Sequence, residues 1–444
     1  MVQSTFARII KDMRVRWYEK KLIDSDFYHA IIFVKEQNRF YDYTTKIFYT
    51  PDAFQNSFSH EDAEAKKQAL LNGKVIKVDK MDFAPLKEKV FTKGGIVYGN
   101  TWLAKNEIHG VEGDCYRWLN HFDRLGWGDN KEHILKWMAF TILHPDKKIN
   151  HMLLLGGMEG TGKDFLLYPL IKCIRDYTTI IDGHELLSDF NEYLLGTKYL
   201  HVNETELGDH RQSTEVSNKL KPLATAPPET LRVNQKGIAH IKITNLVNLT
   251  MTTNSQMPIK LNGPSRRFYA VWSDVNIRDS EDQVSPEWLA YFDDVWGWMK
   301  GDGFLNCIWY LRNKVDLSDF NPNETPKTTD FLKSIQESSK PPGQQTIEAF
   351  MKHKIGIFRN DLITAEEACA TLKSPFENAE SFMYCDSKWF TPQKVGRIMK
   401  DIRGCSRLRA KKGAEDFRVW CVRNPEQYIE LGPVDIYKSY KKEI

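Results

Sequence analysis

The sequence predicts an α/β protein whose core is a parallel sheet, preceded by α+β and helical regions and followed by a small domain built from a helix and a hairpin. Three observations predict it. Short apolar runs alternate with helical segments from Asn150 to Trp272, as a sheet sandwiched between helices requires. One of these runs, MLLL at 152–155, opens directly into a glycine-rich turn and a helix. Near the C-terminal end an amphipathic helix precedes two short β-prone runs.

Composition limits the rest. A chain of 444 residues exceeds the size at which one core stops growing, so several domains are expected. Apolar residues at 41% and charged residues at 27% exclude a disordered chain. The formal net charge is only +3, so any surface that grips nucleic acid must be local. Seven scattered cysteines without a C-x-x-C pair argue against a disulfide framework or a zinc ribbon. No stretch approaches the roughly 20 consecutive apolar residues of a membrane span, and MVQSTFARIIKDMRVRWYEKK lacks the apolar core of a signal peptide. A cytoplasmic protein without membrane contact is expected.

Taken in order, residues 1–95 read as an α+β region, in which HAIIFVKEQNRFYDYTTKIFYTPDAF gives strands punctuated by polar turns and no legible function. Residues 96–145 read as a helical collar, with CYRWLNHFDRL and HILKWMAFTIL apolar at helical spacing. The catalytic core occupies 146–275. In 276–345 a helix starts after the N-cap Ser285 with Pro286 at its first position, and the proline-rich, polar stretch from about 316 to 345 favours an extended linker. The C-terminal domain is 346–444. There TPQKVGRIMKDI is an amphipathic helix with Thr391 as N-cap, and CSRLRA and FRVWCV joined by KKGAED form a hairpin, which suggests a winged-helix-like domain. Its local basicity, Lys394 and Arg397 included, suits DNA, though protein docking or a solubilising role fits the same charges.

The core carries the chemistry. In HMLLLGGMEGTGKDFLLYPLI the spacing is Gly157, four residues, Gly162, Lys163, between a strand and a helix. Gly157, Gly160, Thr161 and Gly162 let main-chain N–H groups close around phosphate oxygens, Lys163 reaches the β- and γ-phosphates, and the helix N-terminus adds positive potential. Asp164 stands where a Ser or Thr hydroxyl usually binds Mg²⁺. A carboxylate can ligate Mg²⁺ itself, yet it also sets negative charge beside the triphosphate.

Downstream, KYLHVNETE places Tyr199 to Val202 as a second strand ending at Asn203 and Glu204. Glu204 is a candidate to polarise the attacking water, and Asn203 stands where many such enzymes have a Mg²⁺-associated Asp. LRVNQKGIAHIKI reads as a hairpin with Lys236 at its tip, suited to a phosphate backbone. NLVNLTMTTN is a third strand ending at Asn254, a candidate for the γ-phosphate or its water. PSRRF then supplies Arg266 and Arg267, which suit either an arginine finger reaching a neighbouring protomer or a surface ion pair.

This ordered set, GGMEGTGKD, YLHVNE, the VNQKG hairpin, TMTTN and SRRF, resembles superfamily 3 helicases, above all the poxvirus-type primase-helicases of phages and mobile elements, over about Arg39 to Asp330. The resemblance implies a P-loop, AAA+-like ATPase core that uses ATP and Mg²⁺, assembles as a homo-oligomeric ring (hexamer), and moves 3′ to 5′ on single-stranded or forked DNA in the host cell cytoplasm. By it Lys236 contacts DNA in the ring channel, Asn254 is a sensor, and Arg267 is the finger, with Arg266 as a substitute. A primase or polymerase module often precedes the helicase in such proteins. None is recognisable here, so the chain is either a helicase alone or the C-terminal portion of a longer protein. The competing reading is a DNA-binding replication initiator or scaffold that binds nucleotide with little turnover, and Asp164 is the residue that favours it.

Overall fold

The computed structural model describes residues 30–56, 75–102, 108–203, 210–261, 265–374 and 380–443. These fall into two compact units. One runs through Lys260 and resumes from Ser265 to Lys333; the other comprises Leu261 and the chain from Ser334 onward.

The first unit begins with β1 (Ile31–Val34), β2 (Arg39–Asp42), β3 (Ile47–Tyr49) and β4 (Ile76–Val78), in the sheet order β3-β2-β1-β4. A second small sheet, β5-β7-β6, is made from β5 (Lys80–Asp82), β6 (Val90–Lys93) and β7 (Ile96–Asn100). The β6–β7 hairpin straddles residues 95 and 96, where the sequence reading divides two regions. Its turn is Gly94–Gly95, at φ 59° and 78°, and a glycine pair reads in sequence as a break between regions.

Two helices follow, α1 (Tyr116–Arg124) and α2 (Gly128–Leu143). The first buries Trp118, His121 and Phe122, and the second is buried along most of its second half, from Ile134 to Ile142. Next come β8 (Met152–Gly157), α3 (Lys163–Cys173), β9 (Thr178–Ile181), β10 (Tyr199–Val202) and α4 (His210–Ala224). A hairpin of β11 (Thr230–Gln235) and β12 (Ile238–Thr244) leads to β13 (Asn248–Thr253), β14 (Phe268–Ser273), α5 (Pro286–Trp298) and α6 (Phe304–Asn313).

The central sheet has the order β14-β8-β13-β10-β9, with every neighbouring pair parallel. MLLLGG, YLHV and NLTMTT are buried at every residue, as parallel strands covered on both faces must be. Trp118, Trp137, Phe165 and Leu311 share one apolar cluster with β8. Because the strands run the same way, the chain following β8, β10 and β13 emerges at a single edge of the sheet, where ligands bind in such folds.

The opposite edge holds two buried lysines. Lys148 Nζ donates to the carbonyl of Leu223 at 2.6 Å and to that of Val247. Lys198 Nζ donates to the carbonyls of Lys147 at 2.6 Å and Leu246 at 2.9 Å. Burial pushes Lys148 down to about 7 and Lys198 well below the ordinary lysine value.

The β11–β12 hairpin is held at both ends by the N-terminal sheets. At its base the buried carboxylate of Asp82 accepts from Thr244 N at 2.8 Å and Thr244 Oγ1 at 2.9 Å. At its tip the Arg39 guanidinium donates to Gly237 O at 3.1 Å.

The stretch 316–345 departs from the expected extended linker in its second half, whereas residues 316–329 form no helix or strand. It contains α7 (Asp330–Ser338), in which Leu332 and Ile335 are buried, and the start of α8 (Pro342–His353). Of the prolines that suggested extension, Pro341 and Pro342 sit at the N-terminus of α8, a position that needs no N–H donor and suits proline.

The second unit continues with β15 (Leu362–Ile363), α9 (Ala365–Lys373), α10 (Pro392–Asp401), β16 (Ser406–Lys412), β17 (Glu415–Cys421) and α11 (Pro433–Glu443). Its antiparallel sheet has the order β15-β17-β16. Thr391 caps α10 by accepting from Lys394 N, and Thr364 and Glu367 form a reciprocal capping box on α9. Among the described residues no helix is long and apolar enough to cross a membrane.

Candidate nucleotide site

β8 ends at Gly157 and α3 begins at Lys163, so five residues turn the chain from strand to helix. Gly160 and Gly162 have φ of 78° and 85°, the left-handed region that favours glycine. Gly162 is required twice over, since a Cβ there would lie 2.6 Å from His121 Nε2 and 2.9 Å from Phe292. Thr161 is buried and closes the turn by donating from Oγ1 to Met158 O at 2.8 Å.

Lys163 is 7% exposed, and its Nζ donates to Gly157 O at 2.8 Å, Met158 O at 2.8 Å and Asn254 Oδ1 at 2.9 Å. The ammonium therefore ties the C-terminal ends of β8 and β13 together. Phe165 N donates to the N-cap carbonyl of Gly162 at 3.1 Å, and the N–H groups of the first turn of α3 mark its positive end.

Asp164 lies one residue into α3, with Oδ1 3.5 Å from His201 Nε2. His201 is 2% exposed, its Nδ1 is 2.8 Å from Thr250 Oγ1, and that hydroxyl is 2.6 Å from Tyr199 Oη. One assignment of protons satisfies the whole chain: Tyr199 donates to Thr250, Thr250 to His201 Nδ1, and His201 Nε2–H faces the carboxylate. The His201 contact holds the Asp164 carboxyl below the usual carboxylate range, and burial pushes the Tyr199 hydroxyl upward.

Asn203 follows β10 and accepts at Oδ1 from Thr252 Oγ1 at 3.1 Å. Glu204 lies outside the described residues. Lys163, Asp164, Asn203, Thr252 and Asn254 line one cavity of about 440 Å³, walled by Phe292 and Trp296 of α5. Among the described residues no group of three or more His, Cys, Asp or Glu is placed to hold a metal ion. Mg²⁺ does not need one, because it keeps waters and takes one or two carboxylates together with substrate phosphates. The Asp164 carboxylate and the Asn203 amide oxygen are side-chain oxygens suited to that role, and the Glu159 carboxylate lines the same cavity.

His121 fastens the loop from behind. Its Nε2 is 3.2 Å from Gly162 O and its Nδ1 2.8 Å from Tyr291 Oη in α5, and burial pushes its pKa down to about 4. The sequence reading missed His121, His201, Thr250 and Thr252. For His201, Thr250 and Thr252 the available signal was polar side chains inside buried strands, the histidine of YLHV and the threonines of NLTMTT.

Other expected site residues lie elsewhere. Arg266 and Arg267 precede β14, and Met152 N donates to Arg267 O at 2.9 Å, at the end of the sheet opposite the loop. Six residues of strand at roughly 3.3 Å each put about 20 Å between Arg267 and the level of Gly157, more than an arginine side chain spans. Lys236 is exposed at the hairpin tip. In the second unit Arg397 is exposed, whereas Lys394 is engaged: its Nζ donates to Trp389 O at 2.9 Å and lies 4.3 Å from the Trp389 ring centre.

Residues 154–267 match a family model described as a family of unknown function, DUF5906. Over 208 residues the chain is 25% identical to a DNA primase-polymerase of Nitratiruptor phage NrS-1, an alignment covering 46% of this chain and 28% of that protein's length. Its fold is similar to that of the NrS-1 C-terminal region, with a TM-score of 0.62 at 17% identity, covering 88% of this chain and 96% of that one. A second structure of the same region gives 0.62 at 18% identity. The shared fold is mixed α/β with a parallel sheet.

Proposed function

We propose that this chain is a P-loop, AAA+-like ATPase of the superfamily 3 helicase type, which binds ATP with Mg²⁺ at Gly157–Asp164 and uses its hydrolysis to move along DNA during replication of a phage or related element. The observation that carries the reading is Lys163, whose ammonium joins the glycine loop to Asn254 across adjacent parallel strands, in a cavity that also holds Asp164 and Asn203. On this reading loop N–H groups and Lys163 bind the phosphates, Asp164 and Asn203 face the metal, and Asn254 orients the γ-phosphate or its water. The Mg²⁺ would supply charge neutralisation at the phosphate oxygens. Glu204 remains the proposed base for the attacking water.

The position of Arg267 supports a ring, because an arginine that cannot reach its own cavity can serve a neighbouring chain's. The second unit, with the order helix, strand, two helices and hairpin, supports a winged-helix reading in which Arg397 faces DNA. The alignment with a phage primase-polymerase supports the replication setting and a primase or polymerase module as partner. A scaffold or initiator with little turnover is the second reading, favoured by the extra negative charge of Asp164 in the first turn of α3.

The deciding experiment is ATP hydrolysis with and without single-stranded DNA, together with strand displacement on a forked duplex. Wild-type chain should hydrolyse ATP faster with DNA and displace the strand, and folded Lys163→Ala should lose hydrolysis by a factor on the order of 10² or more, as when a transition-state donor is removed. Full turnover in a folded Lys163→Ala protein would end the assignment, and tight ATP binding without turnover in wild type would select the scaffold.

A further inference from the structure

We propose that a second cavity in the first unit, at the opposite end of α3 from Lys163, binds a nucleotide, either free or as one unit of a single strand. α3 has 11 residues, so at 1.5 Å per residue about 16 Å separates the two ends. This cavity measures about 420 Å³, close to the first in size and within the range of small-ligand sites.

Its lining has a lopsided charge. Lys172 in the last turn of α3, Arg175 just beyond it, Lys300 between α5 and α6, and Arg312 in the last turn of α6 all border it. Asp176 is the one carboxylate among the described lining residues, and it lies 3.8 Å from Arg175. By contrast, Lys136 meets two carboxylates, Glu132 and Asp319. Four cations around one concavity repel each other, and an anion relieves that repulsion. The C-terminal dipole of α3 opposes an anion, but at about half an elementary charge it is outweighed by four cations even when the Asp176 carboxylate is subtracted.

The remaining wall is apolar. Trp102 and Tyr177, both buried and stacked on each other with ring centres 3.9 Å apart, border the cavity together with Ile142, Pro145 and Ile174. The ammonium groups of Lys172 and Lys300 lie over the rings of Tyr168 and Trp296, with Nζ 5.0 Å and 5.7 Å from the ring centres. Phosphate oxygens on the cations with a base against the apolar wall is the ligand chemistry that uses both halves, and the pairing of a positive groove with aromatic side chains is how single strands are held.

The test uses the full chain and two probes, thymidine 5′-monophosphate by equilibrium dialysis and a fluorescein-labelled oligothymidylate by anisotropy. Lys172→Glu/Lys300→Glu should weaken binding of at least one probe on the order of ten-fold or more, the weight of charge-assisted hydrogen bonds lost. Loss confined to the mononucleotide identifies the free nucleotide as the source. Loss of oligothymidylate affinity, with the slope of log affinity against log salt falling by about 1.4 for two phosphate contacts, identifies a strand. Arg175→Glu, at a side chain 76% exposed, should weaken the same probe and guards against misfolding of the double variant. In a Lys163→Ala background, Lys172→Glu/Lys300→Glu should still weaken the same probe, which keeps the result separate from the fate of the ATPase reading. Unchanged affinity for both probes in both variants overturns the proposal, as does thymidine monophosphate binding that depends on Lys163 alone.

Discussion

On the proposed reading Asp164 stands where a phosphate-binding loop usually carries a hydroxyl, and the His201 contact holds its carboxyl below the usual carboxylate range. His201 presses on the carboxylate from one side and is itself fixed by Thr250 and Tyr199, an arrangement in which a buried imidazole orients a candidate metal ligand. If Asp164 serves Mg²⁺, then His201→Ala should raise the Mg²⁺ needed for half-maximal ATP hydrolysis on the order of ten-fold, the usual weight of a partner one bond removed from the metal, and Asp164→Ala should raise it at least as far. A Mg²⁺ titration at fixed ATP measures both. Coincident titrations for wild type and the two variants would place the ion elsewhere. Sequence alone could not rank His201, because a single histidine in an apolar strand gives no sign of which residue its ring will meet.

Among the elements, the β11–β12 hairpin carries the clearest separable task. Lys236 is exposed beside Gly237, whose φ of 70° makes the tight turn. Lys236→Ala should reduce DNA-stimulated turnover and lower the slope of log affinity for single-stranded DNA against log salt by about 0.7, the share of one phosphate contact. ATP hydrolysis in the absence of DNA, measured alongside, should hold steady, and its equal loss would move Lys236 to the nucleotide. This hairpin was legible because alternating apolar residues flank a lysine and a glycine. β8, β10, β13 and α5 were legible for similar local reasons, namely apolar runs of strand length and a Ser-Pro helix start. The order of the strands was not, since pairing depends on residues far apart in sequence. α7 was missed because a nine-residue helix leaves only Phe331, Leu332 and Ile335 as an apolar face between proline-rich flanks. For Lys148 and Lys198 nothing local in the sequence reveals that main-chain carbonyls enclose them.

For the molecule as a whole, buried histidines set the response to acid. Burial lowers His121 and His133 to about 4 and His151 to about 3, from an ordinary 6.5, and His133 and His151 face each other with Nε2 atoms 3.0 Å apart. Between the folded and unfolded values the unfolded chain binds more protons, so stability is present above about 6.5 and is lost as pH falls toward 4, each group contributing up to about 1.4 kcal/mol per pH unit. Thermal unfolding followed by circular dichroism should show a clear drop in midpoint from pH 7.5 to pH 5, smaller in His133→Asn. Equal drops in wild type and variant would remove His133 from the account. The same unit also bears on how work could pass through the molecule. The hairpin touches the N-terminal sheets twice, at Arg39 near its tip and at Asp82 beneath its base, and the second contact is a two-point clamp. In mechanical language it is a lever with a fixed fulcrum: a load on Lys236 is shared between the chain running into β13 and the carboxylate seated in β5, and the N-terminal sheets are the anvil against which the lever bears.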